Sequence, residues 1–296
     1  MGFLKTLDLV VDVETIGIYK PGNNKGKKMV ISNAIFNIGL VLSYQGQILL
    51  KESIAIEEFW DYPEHRIMDF YRSNFDKDGG DFTVLYQTMQ DFLQEYFYPL
   101  LKSFKGQANI KLWSYNAGFD SRAFRDTAKL EEHIIPKPIM ENWKCLMVLA
   151  SELLSKDVKY LNWLVANEYQ LLNHEYISAK GNLKIKAETV FRYITQDSGF
   201  IEAHKGLDDA LIETKILNWV KAQKGWSKID ASPEGGSWQL LNNKALPFQR
   251  KSHLQGVLEE NGAIQKLLTI ENQQKLDELV GGGHFDWQDD EYNVFG

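Results

Sequence analysis

Two carboxylates stand two residues apart where an apolar run of the sequence ends. Residues 4–13 are rich in Leu and Val and predict a buried strand, with Asp12 and Glu14 at its end. Side chains two residues apart on a strand point to the same face, so both carboxylates can bind one hard cation such as Mg²⁺. The spacing alone is weak evidence, because it recurs at Asp289 in the polar C-terminal end. A solvated strand end is the alternative interpretation.

A second apolar strand is followed by another pair of polar residues. Residues 109–115 predict the strand, and a helix is expected through the 120s. Asn116 and Asp120 lie at this junction. Asn and Asp are favoured at helix starts, so by themselves they indicate capping as readily as metal binding.

A histidine precedes the predicted helix at 207–222. The ordinary pKa of histidine, about 6.5, would let His204 take a proton from an attacking water. Two carboxylates follow it, Asp208 and Asp209. If the helix already included His204, Asp208 at i+4 would share its face; the residues alone leave the choice between the two aspartates open.

The elements that must position these residues predict an α/β protein. Strands followed by helices, after an initial meander, indicate a mixed sheet flanked by helices. Asp81 is expected as the N-cap of a helix running to about residue 104. The predicted strands are 4–13, 31–43, 47–56, 109–115 and 143–146, with a hairpin turn at 45–46, and the further predicted helices are 147–155, 160–170, 186–195, 207–222 and 251–280.

The three motifs, in this order, resemble those of the DEDDh family of 3′→5′ exonucleases, which includes proofreading, phage and oligoribonuclease-type enzymes. The resemblance covers about residues 4–222. One departure is Gly206, where the family commonly has a small residue such as Ala. The matching segments are Asp12-Val-Glu14-Thr15-Ile16-Gly17, Asn116-Ala-Gly-Phe119-Asp120 and His204-Lys-Gly-Leu-Asp-Asp209-Ala210.

The resemblance implies a ribonuclease H-like fold, with a mixed five-stranded sheet flanked by helices and a C-terminal extension. It implies that His204 is the general base and that Asp209, rather than Asp208, is the partner carboxylate. Two Mg²⁺ or Mn²⁺ ions are the implied cofactors, and Glu14 is expected to be both catalytic residue and ligand. The implied metal ligands are Asp12, Glu14, Asp120 and Asp209.

The resemblance also implies a substrate and the residues that contact it. The expected reaction releases nucleoside 5′-monophosphates from the 3′ end of single-stranded DNA. Two alternatives stay open: an exoribonuclease acting on RNA ends or oligoribonucleotides, and a nuclease-like scaffold that recruits replication partners. For Ile18 and Phe119 packing in the core is an equally good interpretation. The residues expected against the terminal nucleotide are Thr15, Ile18, Asn116 and Phe119.

The charge distribution divides the chain near residue 224. The 296 residues hold 33 Lys and Arg against 40 Asp and Glu, but residues 225–296 hold 6 against 11. We therefore predict a nearly neutral exonuclease domain at 1–224 and an acidic extension at 225–296, which excludes a protein that coats nucleic acid through bulk positive charge. The acidic-aromatic end, 284–296, is either a docking peptide for a protein partner or a solubilising tail.

Cysteine content and hydropathy restrict the remaining classes. The single cysteine excludes an intrachain disulfide framework and a multi-cysteine zinc site, and favours a reducing cytoplasm. Membrane association is not expected, because no stretch approaches the ~20 apolar residues of a membrane span. The lysine-rich loop at 20–28 could contact a phosphate backbone, but a solvated loop is the simpler interpretation.

Overall fold

The computed structural model describes residues 5–21, 28–60, 75–76, 80–141, 143–154, 157, 159–160, 163–164, 167, 176 and 185–231, with backbone alone at 18–21 and 28–32. The predicted helix at 251–280, the tail at 284–296 and most of the helix at 160–170 and of the loop at 20–28 lie outside these residues. Their assignments, and the domain boundary near 224, stay predictions. Within the described part of the chain, no helix is long and apolar enough to cross a membrane.

Six strands of the described residues form one mixed sheet in the order β4-β3-β2-β1-β5-β6. β2 is antiparallel to β1 and β3, whereas β5 is parallel to β1 and β6 is parallel to β5. The mixed α/β sheet is confirmed, with one strand more than expected because the short β4 adds to the edge of β3. The strands are β1 (Lys5–Pro21), β2 (Lys28–Tyr44), β3 (Gln47–Ile56), β4 (Val84–Tyr86), β5 (Ala108–Ser114) and β6 (Trp143–Cys145).

Helices follow β3 and each later strand, and they cover both faces of the sheet. A π-helical turn, Phe92–Phe97, joins α2 to α3, and a 3₁₀ turn, Trp226–Lys228, follows α8. The helices are α1 (Glu57–Trp60), α2 (Met89–Asp91), α3 (Tyr98–Ser103), α4 (Ala117–Leu130), α5 (Lys137–Glu141), α6 (Leu146–Leu154), α7 (Ala187–Thr195) and α8 (Gly206–Ala222).

The predicted start of the helix at Asp81 is wrong, because a capping box at Thr88 begins it instead. Thr88 Oγ1 accepts a hydrogen bond from the Asp91 N–H at 3.1 Å, and the Asp91 carboxylate accepts one from the Thr88 N–H at 3.2 Å. The two bonds satisfy two helix-start N–H groups at once. Asp81 does not cap this helix. Its carboxylate instead accepts a hydrogen bond from the Asp76 N–H at 2.6 Å.

The first strand is longer than predicted. β1 does not end at Val13 but continues to Pro21, because β2 pairs with it as far as Lys28. β5 pairs with β1 only up to Val10. The hairpin between β2 and β3 is as predicted: Gln45 and Gly46 both have positive φ, as a tight two-residue hairpin turn requires.

Alternate residues of β1 feed two hydrophobic cores, one on each face of the sheet. Val10 packs with buried side chains of α6, α7 and α8. Leu9 and Val11 point the other way, into a core that includes the π-helical turn and α4. Cys145 of β6 belongs to this second core, is fully buried, and its Sγ donates to the Tyr115 carbonyl oxygen at 3.4 Å.

The last helix is attached to the sheet at both ends. At its start, a Cβ atom on Gly39 of β2 would lie 1.9 Å from the Gly206 carbonyl oxygen, so the two backbones touch where neither residue has a side chain. At its end, the Lys221 ammonium pairs with the buried carboxylate of Asp8 in β1. Trp113 Nε1 also donates to Asp8, at 2.9 Å. α8 therefore holds a fixed position over β1 and β2.

Candidate active site

Asp12 and Glu14 lie in the middle of β1, beyond the point where β5 stops pairing with it. They face Gly39 and Asn37 of β2 in the strand register. A register shift follows directly, between Glu14 and Thr15. The local twist of such a bulge, together with the departure of β5, opens the sheet next to both carboxylates.

Asp120 reaches the same place from the first turn of α4. β5 ends at Ser114 and α4 begins at Ala117, so this turn lies at the edge where β5 leaves β1. The Asp120 side chain is 4% exposed. The Asp120 carboxylate accepts hydrogen bonds from two backbone N–H groups, that of Val13 and that of Asp120 itself. A bond to Val13 places Asp120 beside the stretch of β1 that carries Asp12 and Glu14.

His204 and Asp209 enter from the start of α8. His204 has a left-handed backbone with φ of 52°, and the helix begins two residues later at Gly206. Asp209 is 5% exposed, whereas Asp208 is exposed to solvent. Ligand atoms of Glu14, His204 and Asp209 all lie within 4.8 Å of one another. Two widely separated segments of the chain thus bring two predicted metal ligands, Glu14 and Asp209, together with the predicted general base His204.

The Gly206 departure from the DEDDh pattern has a steric explanation. A Cβ atom at this position would lie 2.7 Å from both Asn37 Oδ1 and Gly39 N. The Gly206 N–H donates to Asn37 Oδ1 at 2.9 Å, and Asn37 Nδ2 donates to the Ile54 carbonyl oxygen at 3.0 Å. The first turn of α8 is therefore tied to β2 and β3 at a distance that leaves no room for a side chain.

The carboxylates of the site raise one another's pKa values. Burial, followed by the charge of Glu202, raises the pKa of Asp12 from 3.8 to about 7. Burial, followed by the charges of Asp12 and Glu202, raises the pKa of Asp209 to about 10. The pKa values of Glu14 and Asp120 are raised by burial and then by Asp12. A bound divalent cation would stabilise the ionised form of these crowded carboxyl groups, because its positive charge reverses the local field.

His204 has the opposite shift. Burial lowers its pKa below 6.5, and the charge of Lys186 adds to this, while the charge of Glu188 works against it. A histidine with a lowered pKa is neutral at pH 7 and has a ring nitrogen that can accept a proton. His204 therefore has the protonation state that a general base needs.

Two acidic residues that the sequence did not single out also belong to this environment. Burial and the charge of Glu188 raise the pKa of Glu202 to about 7, and Glu202 in turn raises the pKa values of Asp12, Glu14 and Asp209. Glu202 lies two residues before His204 and belongs to none of the three sequence motifs, so no sequence signal assigned it to the site.

Glu213 lies one turn after Asp209 on the buried side of α8. It is 3% exposed, and burial, followed by the charges of Asp12 and Asp120, raises its pKa well above its usual range. The Tyr115 N–H donates to its carboxylate. The i+4 spacing from Asp209 was a usable sequence signal, because such residues share a helix face.

The oxygen-rich donor set fits a hard divalent cation. Among the described residues, the buried oxygens Asp209 Oδ1 and Glu213 Oε2 have no hydrogen-bond partner. Buried polar atoms without partners are costly, and a metal ion or water would satisfy them. Carboxylate oxygens suit Mg²⁺ and Mn²⁺, whereas a closed zinc site would be richer in His and Cys.

Three of the four expected substrate-binding residues have described side chains, on β1 and at the start of α4. Thr15 follows Glu14 in β1 and is half-buried, and Asn116 is exposed immediately before α4. Phe119 packs partly against the second core, which keeps the core-packing interpretation open. The side chain of Ile18 lies outside the described residues. The contacts of these four residues with a nucleotide stay predictions.

No protein-family model and no curated protein matches the sequence. Several solved structures are similar to the chain. The chain is similar to the nuclease domain of 3′hExo, a DEDDh family member bound to rAMP, with a TM-score of 0.48 and 13% identity over 77% of this chain and 98% of that one. A full-length 3′-exonuclease is similar to the same extent, with a TM-score of 0.46 and 12% identity over 74% of this chain and 83% of that one.

Two further solved structures show the same level of similarity. One is a 3′-exonuclease described in the 3′-end-specific recognition of a histone mRNA stem-loop, with a TM-score of 0.45 and 12% identity over 83% of this chain and 85% of that one. The other is cell-death related nuclease 4, with a TM-score of 0.44 and 12% identity over 74% and 66%. Such a likeness concerns the fold alone, so the argument for activity depends on the residues of the site.

Proposed function

We propose that this protein is a metal-dependent 3′→5′ exonuclease that hydrolyses the terminal phosphodiester of single-stranded DNA and releases nucleoside 5′-monophosphates. The observation that carries the proposal is the convergence of acids from three separate segments beside a histidine. Glu14 of β1 and the His204 and Asp209 of the α8 start have ligand atoms within 4.8 Å. Asp120 of α4 is hydrogen-bonded to the backbone of the same strand. The proposed location is the cytoplasm.

The residues divide the chemical work between them. Asp12, Glu14, Asp120 and Asp209 would hold two Mg²⁺ or Mn²⁺ ions, which supply Lewis-acid activation of water and charge neutralisation at the departing 3′-oxygen. His204 accepts the proton of the attacking water on a ring nitrogen, because its lowered pKa keeps it neutral. The P–O3′ bond breaks, the departing 3′-oxygen takes up a proton from solvent, and His204 returns its proton to solvent, so that it is neutral again for the next cycle.

A nuclease assay with matched variants tests the proposal. End-labelled single-stranded DNA, duplex DNA and RNA are incubated with the protein in Mg²⁺ or in EDTA. We expect Mg²⁺-dependent loss of single nucleotides from the 3′ end of single-stranded DNA. His204→Ala and Asp209→Asn should each lower the rate by about 10²- to 10⁴-fold, whereas Asp208→Asn, at the exposed neighbouring position, should stay within about twofold of the wild type.

Each alternative has its own signature in this assay. Preferential degradation of RNA would favour the exoribonuclease. An intact substrate in every lane with Mg²⁺ or Mn²⁺ would refute the nuclease proposal and favour the scaffold. A wild-type rate in Asp209→Asn would contradict the assignment of this residue as a ligand.

A further inference from the structure

The backbone of the proposed general base is strained. His204 has φ of 52°, in the left-handed region that residues other than glycine rarely adopt. Such a conformation persists only when neighbouring contacts hold it. The contacts on either side of His204 therefore contribute to the direction in which its imidazole points.

The residue that follows His204 is held by an ion pair. Lys205 Nζ lies 3.0 Å from each carboxylate oxygen of Asp81 and 5.7 Å from the ring centre of Phe75. Both charged side chains are about a quarter exposed, 26% for Lys205 and 27% for Asp81. Lys205 is thus held against a segment more than a hundred residues earlier in the chain.

Asp81 is itself fixed. The Asp76 N–H donates to its carboxylate at 2.6 Å, and the Asp81 N–H donates to the Asp76 carbonyl oxygen at 3.3 Å. Burial alone would raise the pKa of Asp81, but the Asp76 N–H and the Lys205 ammonium outweigh burial and lower it. The carboxylate is ionised at neutral pH, and the ion pair is intact there.

Two more contacts hold the same stretch of backbone. The Glu202 N–H donates to Glu188 Oε1 at 3.2 Å, and the Gly206 N–H donates to Asn37 Oδ1 at 2.9 Å. Residues on both sides of His204 are therefore anchored, and Lys205 is the anchored residue directly bonded to it. Asn37 is fully buried, so the Asp81 contact is the one that can be removed without opening the core.

We infer that Asp81 is a positioning residue for the proposed nuclease reaction: through Lys205 it holds His204 in the left-handed conformation that directs the imidazole towards Glu14 and Asp209. The inference depends on the proposed function of His204. A partly exposed ion pair contributes little to the stability of a protein. Its loss should therefore change the rate far more than the free energy of unfolding.

The test compares Asp81→Asn, Asp81→Glu, Lys205→Met and the double variant Asp81→Asn/Lys205→Met. The control is Glu141→Gln, which removes an exposed ion pair with Lys137 on α5. We expect Asp81→Asn to lower kcat by about 10- to 100-fold with little change in KM, since small misplacements of a catalytic group have effects of this size. Asp81→Glu should restore most of the rate, and Glu141→Gln should behave like the wild type.

The double variant separates positioning from a direct role of Lys205. If Lys205 acts through Asp81, the double variant should lose no more of kcat than the more damaging of the two single variants. If Lys205 instead contacted substrate phosphate, Lys205→Met would raise KM while Asp81→Asn left kcat unchanged, and the inference would be overturned. The urea midpoint of unfolding of each variant should stay close to that of the wild type.

A second readout keeps this inference distinct from the proposed function. In NMR spectra, the imidazole signals of His204, assigned by their absence in His204→Ala, should shift or broaden in Asp81→Asn and not in Glu141→Gln. Unchanged His204 signals in Asp81→Asn would refute the positioning role, whatever the activity. A wild-type protein without nuclease activity but with the expected NMR change would refute the proposed function alone.

Discussion

Replacing Asp12 by asparagine should stabilise the metal-free protein above neutral pH, by an amount that follows from the surroundings of the carboxylate. Burial and the charge of Glu202 raise the pKa of Asp12 from 3.8 to about 7. The folded protein therefore binds this proton more tightly than the unfolded chain does. Consequently the free energy of unfolding falls as the pH rises from about 4 to about 7 and stays low above that range.

The size of the effect comes from the shift in pKa. One pKa unit corresponds to about 1.4 kcal/mol, so the shift from 3.8 to about 7 corresponds to roughly 4 kcal/mol at pH values above 7. The Asp12 side chain keeps some solvent contact, and screening makes this an upper value. Asparagine is neutral at every pH, so the Asp12→Asn protein avoids the cost altogether. At about pH 5 the gain should be less than half of that at about pH 8.

Urea unfolding in EDTA, followed by tryptophan fluorescence at both pH values, measures this gain. Asp8→Asn is the control in the same strand, because Asp8 is buried with Trp113 and Lys221 as partners and should lose stability on substitution. Mg²⁺ should then stabilise the wild type more than Asp12→Asn, since only the wild type has all four of the proposed ligands. An equal gain at both pH values, or no gain at about pH 8, would refute the reasoning.

Two substitutions test how α8 is held against the sheet. Gly206→Ala would place a Cβ atom 2.7 Å from Asn37 Oδ1, so it should cost about 1–3 kcal/mol in urea unfolding and lower nuclease activity, whereas Gly199→Ala, with 3.6 Å to its nearest atom, should do neither. Equal stability of the two variants would contradict the close approach. Lys221→Met should cost about 1–3 kcal/mol because Asp8 loses a partner; the same substitution in an Asp8→Asn background should cost less, and an undiminished cost there would argue against the pair.

Local patterns predicted those parts of the fold whose signal lies within a few consecutive residues. The strand at 47–56 and the turn at Gln45 and Gly46 were read from alternation and turn chemistry, and the structure has both. The extension of β1 beyond Val13 depends on pairing with β2, which no local pattern contains. β4 is three residues long and exists because it pairs with β3.

The site shows the same division between local signals and packing. The motifs singled out the residues that the structure places around β1 and the α8 start, because the type and spacing of each residue are visible in the sequence. The sequence did not predict Glu202 and Glu213 as site residues, because their electrostatic effect on the site depends on their burial in the fold. Asp81 was assigned to capping, although the reciprocal pair Thr88 and Asp91, three residues apart, was already visible as a helix start.

The single cysteine has a practical consequence for following the His204 loop. Cys145 is fully buried in β6, so thiol reagents added to the folded protein should leave it unmodified. A cysteine introduced on the surface would then be the sole labelled position. Ile201 is 76% exposed and stands three residues before His204. A fluorescent or spin label at Ile201→Cys could report how this loop responds to metal, to a DNA end, or to the loss of Asp81.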